Sequence, residues 1–170
     1  MGIGSTGYKI VFMLHILSII IGFGGVMLNG IYGAEAKKRK GPGGAAIGEA
    51  NLAVTKVAEK VILTVPIWGI ALVFMSDGVW EFSQLWVGLA LVLFIATMGV
   101  ATGVQLKNQK RMAVLAGELA LGGPPPAGAS GPPPQVAEME ALEKKLGMGG
   151  AFLSLMVVVL IYLMVFKPGV

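Results

Sequence analysis

Four stretches of the chain stay apolar long enough to cross a hydrocarbon layer as helices. They cover about residues 10–31, 57–76, 84–104 and 148–167. A layer roughly 30 Å thick takes about 20 apolar residues at helical rise. None of the four shows the alternation of a membrane β-strand. The pattern predicts an all-α polytopic membrane protein with four transmembrane helices, forming a single membrane domain over residues 1–170.

Helical periodicity continues beyond the spans. Ile47, Ala50, Val54, Val57 and Val61 recur at steps of three and four, so the second helix is expected to begin well before its apolar part. Gly41, Pro42, Gly43 and Gly44 read as a turn ahead of it. The third helix is expected to overrun to about Ala120. Residues 122–134 read GGPPPAGASGPPP, an extended and flexible linker. Val136, Met139, Leu142 and Leu146 then form an apolar stripe, with Glu140 and Lys144 four apart, as a lead-in to the fourth helix. Its stripe can lie on the membrane surface, bind a partner or pack on the other extensions, and packing is the expected role.

Charge sets an orientation. Lys37, Lys38, Arg39, Lys40 and Lys56 lie between the first and second spans, and Lys60 lies at the start of the second, just before its uninterrupted apolar run opens at Val61, where it can snorkel to the interface. Lys107, Lys110, Arg111, Lys144 and Lys145 lie between the third and fourth. The short hairpin around residues 76–81 carries only Asp77 and Glu81. By the positive-inside rule both long loops and their helix extensions are cytoplasmic, and both termini are external. The expected location is the bacterial cytoplasmic (inner) membrane. Tyr8, Trp80, Phe82 and Trp86 fall near span ends on the external side, where an aromatic belt belongs. Ala34-Glu35-Ala36 has the form of a signal-peptidase site. The apolar stretch before it is too long for a signal core, and a basic stop-transfer run comes directly after it, so the first span is expected to remain.

Composition agrees. The chain is 55% hydrophobic and 13% charged, against roughly a quarter charged in soluble domains. Its mean hydropathy is +0.80. The net charge of +4 belongs to the loops of a membrane protein and gives no reason to expect a nucleic-acid partner. The chain contains no cysteine, which excludes zinc-thiolate sites, iron–sulfur clusters and thiol nucleophiles.

The clearest internal pattern is on the first helix. His15, Ser18, Gly22, Gly25 and Asn29 succeed one another at steps of three and four, so they share one face. Small and polar residues on a membrane helix mark the side packed against other helices, and also the side where a cofactor or permeation path would lie. Gly99 and Gly103 form a GxxxG in the third helix, a second packing candidate. Pro66 breaks the ladder of the second helix, with Thr64 placed to satisfy freed groups. No acidic residue is expected deep inside a span, which counts against an ion-coupled transporter.

His15 is the single histidine. An intramembrane imidazole can relay a proton or ligate copper or haem iron. One histidine supplies one axial position, so a bis-histidine haem b within one chain is excluded. As a structural residue His15 would face the bundle and meet Trp68 or Tyr162, which share its depth. The ten methionines show no repeated M-x-x-M pattern and read as gap-fillers.

Tyr8-Lys9, then Phe12-Met13-Leu14-His15-Ile16-Leu17, then Gly22-Phe23-Gly24-Gly25, resembles small four-helix bacterial integral membrane proteins of unknown function, loosely related to the copper-resistance D family. The resemblance implies a compact bundle and a buried role for His15. Larger relatives carry further histidines that this chain lacks.

Phosphate loops, nucleophile triads and paired carboxylates are not found, so the chain is not expected to be an enzyme. Two functions remain. One is an accessory or structural subunit packed in the lipid bilayer beside other membrane subunits, with no cofactor. The other is a small haem- or metal-binding redox protein using His15, with haem b as the cofactor.

Overall fold

The computed structural model describes residues 2–39, 41–121 and 133–170. Of the 122–134 linker, all but the last two residues lie outside this description. Seven α-helices are described: α1 (Thr6–Met27), α2 (Asn29–Arg39), α3 (Gly41–Ile62), α4 (Val65–Phe74), α5 (Leu85–Val100), α6 (Leu106–Leu121) and α7 (Pro134–Phe166). A π-helical segment, Ala101–Gln105, joins α5 to α6.

They combine into four long rods. Thr6–Arg39, Gly41–Phe74, Leu85–Leu121 and Pro134–Phe166 span 34, 34, 37 and 33 residues, each apolar enough to cross a membrane. At helical rise these rods are about 50 Å long, so each exceeds a bilayer core by roughly 20 Å. The excess lies at one end of the bundle and carries most of the basic residues.

At that end the turn between the first two rods is tighter than the Gly/Pro sequence suggested. Helix α2 continues through the basic run to Arg39, and α3 already begins at Gly41. Gly41 takes the left-handed φ of +52° that reverses the chain. Pro42 is tolerated because the first turn of a helix needs no N–H there. Gly44 then lies against the Ala36 carbonyl, where a Cβ would collide.

The second rod breaks where Pro66 withdraws an N–H. Leu63 and Thr64 leave the helical path between α3 and α4. The Thr64 hydroxyl donates to the Val61 carbonyl at 2.7 Å, which the Thr64 backbone N–H also reaches at 3.0 Å. Helices α1 and α3/α4 pack as one pair and α5 and α7 as another, while α3 meets α6 at the basic end. Between the pairs, Ile62, Val65, Phe94 and Met98 form a core, flanked by Ile19, Phe23, Val26 and Leu160.

The opposite end is closed by the 75–84 hairpin. Ser76 is 0% exposed, and its hydroxyl accepts the Trp80 N–H at 2.9 Å. Asp77 and Gly78 turn the chain at positive φ. The Trp80 indole N–H donates to the Tyr8 hydroxyl at 3.1 Å, tying the hairpin to the first rod. Lys167 places its ammonium 3.9 Å from the centre of the Trp80 ring, tying in the fourth.

Candidate functional site

The polar face of the first rod meets the second rod along its length. Gly22 allows the closest approach: a Cβ there would stand 2.5 Å from Ile62 Cγ1 and 3.2 Å from the Ile62 backbone nitrogen. Gly25 fits against Ala58 in the same way, at 2.9 Å. Backbones brought this close can exchange short polar side chains. Ser18 Oγ lies 3.0 Å from Thr64 Oγ1. At the far end Thr55 Oγ1 lies 3.2 Å from Asn29 Oδ1 and 2.9 Å from the Asn51 carbonyl. Ser18, Gly22, Gly25 and Asn29 therefore all sit on one seam.

His15 heads that seam and is only 7% exposed. Its Nδ1 lies 3.0 Å from the Val65 carbonyl oxygen. A carbonyl only accepts, so Nδ1 carries a proton, and in the neutral ring the lone pair is then on Nε2. The hydrogen-bond partner of the ring is thus this backbone carbonyl, and neither Trp68 nor Tyr162. Two features explain it. Gly69, one turn beyond Val65, has no side chain, and a Cβ there would stand 3.3 Å from His15 Cε1. Tyr162 is half exposed and stacks on Phe166 at 4.8 Å instead.

Gly99 and Gly103 are placed differently. A Cβ at either would meet no described atom within 4 Å, so this GxxxG faces away from the described helices.

Three polar residues were not singled out from sequence. Glu59, near the start of the 57–76 span, is 9% exposed, so an acidic side chain is buried at the basic end of the second rod. Among the described residues it makes no ion pair, and Lys110 is the cation whose charge reaches it. Gln105 closes the π segment and donates from Nε2 to the Leu146 carbonyl at 3.0 Å. Gly149 makes the room, since a Cβ there would stand 2.6 Å from the Gln105 amide. The extra residue of a π turn rotates the remainder of the rod about its axis, which an apolar-periodicity reading does not register. Thr97 is buried on the same rod.

Beyond the spans, surface charges link the extensions. Lys37 pairs with Glu143 and Arg111 with Glu138. Arg111 holds the Glu138 carboxyl below its ordinary range by hydrogen bonding, and Glu143 holds the Lys37 ammonium above its own in the same manner. Among the described residues no three His, Asp or Glu side chains gather as a metal ion would require.

No curated protein and no solved structure matches the chain. A family model described as a predicted integral membrane protein matches residues 9–168, and that description makes no link to the copper-resistance D family. A match over nearly the whole chain, on four rods apolar enough to span a bilayer, places the protein in this family of integral membrane proteins, DUF2269.

Proposed function

We propose that the protein is a non-enzymatic accessory subunit that packs within a larger membrane complex. The observation that carries this reading is the open GxxxG face of the third rod. Gly22 and Gly25 are filled from within the chain, whereas Gly99 and Gly103 have no described atom against them. Glycines spaced four apart on a lipid-facing helix let another helix approach closely. The polar groups of the first rod are used within the fold, so they support packing rather than chemistry. On this reading the membrane is the bacterial inner membrane, with the basic extensions cytoplasmic and both termini outside. Affinity purification in mild detergent tests it. Gly99→Leu with Gly103→Leu should keep the fold and lose a stoichiometric membrane partner. Purification of the wild type as a lone chain would reject it.

A second reading rests on His15. An imidazole whose Nδ1–H is fixed on a carbonyl presents Nε2 in the form that ligates haem iron or copper. A relation to the copper-resistance D family would point the same way. One bound haem or copper per chain, lost in His15→Ala, would favour this reading over the first.

A further inference from the structure

At the basic end, helices α3 and α6 enclose a groove of about 480 Å³. Lys56 and Lys110 line it from the two sides, over a floor that includes Leu52, Ala53 and Val114. Lys60 lies one turn further along α3 toward the membrane, and Lys107 one turn further along α6. All four side chains belong to exposed residues. None makes a hydrogen bond or ion pair among the described residues, unlike Lys37, Lys38 and Arg111.

Their level in the bundle is informative. Val61 and Ile62 begin the apolar part of the second rod, and Val104 ends that of the third. Lys60 and Lys107 thus stand within a turn of the hydrocarbon boundary, and Lys56 and Lys110 stand in the headgroup layer. Four cations on two packed helices repel one another there. Glu59 is the carboxylate at this level; it is buried and within reach of the charge of Lys110, so it offsets at most one of the four cations. Glu49 lines the groove about 10 Å further from the membrane than Lys56. The site holds a surplus of positive charge that only an anion can neutralise.

We propose that Lys56 and Lys110 hold the phosphate of an anionic phospholipid, assisted by Lys60 and Lys107. A phosphodiester accepts from two ammonium groups at once, and its acyl chains keep it at this depth. A zwitterionic lipid brings an ammonium of its own into the lysine cluster and is disfavoured. Inorganic phosphate has the charge without the anchor.

The test uses the full chain purified in neutral detergent, with added phosphatidylglycerol, phosphatidylcholine or inorganic phosphate. Native mass spectrometry counts retained lipid, and thermal unfolding reads the effect on stability. Phosphatidylglycerol should be retained and should raise the melting temperature, and the other two should not. Each lysine near an anionic surface contributes roughly fivefold, so Lys56→Gln with Lys110→Gln should cut retention by about tenfold or more. Lys56→Arg with Lys110→Arg should keep it, as should Lys144→Gln with Lys145→Gln on the fourth rod. Equal retention by the Gln pair, equal retention of phosphatidylcholine, or equal protection by inorganic phosphate would overturn the proposal.

Discussion

Gly69 stands directly against the imidazole of His15: a Cβ at residue 69 would lie 3.3 Å from Cε1. That missing side chain lets the ring reach the Val65 carbonyl at 3.0 Å. Gly69→Ala needs a shift of only tenths of an ångström and should be tolerated. Gly69→Val should expel the ring and cost about 1–3 kcal/mol, from overpacking and a lost buried hydrogen bond. Thermal unfolding in detergent measures this. An unchanged melting temperature for Gly69→Val would show that the ring does not lie there.

His15→Gln separates the two functional readings. Its amide can donate the one hydrogen bond that Nδ1–H supplies. If His15 only packs, the variant should unfold close to wild type, while His15→Ala should lose about 1 kcal/mol or more. If Nε2 ligates iron or copper, His15→Gln should lose the cofactor along with its absorption spectrum. Absorption and melting on the same samples decide between them.

The seam glycines give a sharper contrast. A methyl group at Gly22 would meet Ile62 side chain and backbone together, so little can move aside. Gly22→Ala should therefore destabilise by about 1–3 kcal/mol. Gly99→Ala meets nothing described and should leave melting unchanged, or raise it through better helix propensity. Similar losses for both would mean that the third rod packs on something in the purified protein.

The four rods and the extended second and third helices are legible in apolar periodicity, which reports burial by position along one helix. His15, Ser18, Gly22, Gly25 and Asn29 share a face by spacing alone, and that face is the seam with the second rod. What spacing does not carry is the partner. The same i, i+4 rule selects Gly99 and Gly103, which meet no described helix. It also leaves out Thr55, whose role depends on Asn29 lying opposite, and it does not show that Thr64 meets Ser18. His15 finds a carbonyl rather than an aromatic because Gly69 leaves a notch, and a notch is visible only with both helices in place. Glu59 escapes an apolar window that opens at Val61, although the helix is already buried before it.

The clasp at the hairpin end predicts a fluorescence signal. Lys167 lies 3.9 Å from the Trp80 ring centre, and Trp80 and Trp86 pack edge to face at 5.4 Å. Lys167 adopts the left-handed φ of +45°, which a non-glycine residue tolerates only when something holds it. Lys167→Met should cost about 0.5–2 kcal/mol and shift tryptophan emission, since two of three tryptophans sit at the clasp. Lys167→Arg should preserve both.

Charge pairing between the extensions should be lost in acid. Glu138 titrates below its ordinary value of 4.5 in the folded chain because Arg111 donates to it. A depressed carboxyl contributes its stability above the unfolded value and loses it as pH falls through the folded one. The pair is exposed, so the effect is local and screened by salt. Amide protection factors, referred to the intrinsic exchange rate at each pH, should therefore fall across α6 and the first turns of α7 as the pH drops below the ordinary carboxyl value, and in molar salt at neutral pH. The apolar spans should keep their protection. Arg111→Gln should show at neutral pH the reduced protection factors that the wild type shows in acid. If it instead remains protected, the pair is not what holds the third and fourth extensions together.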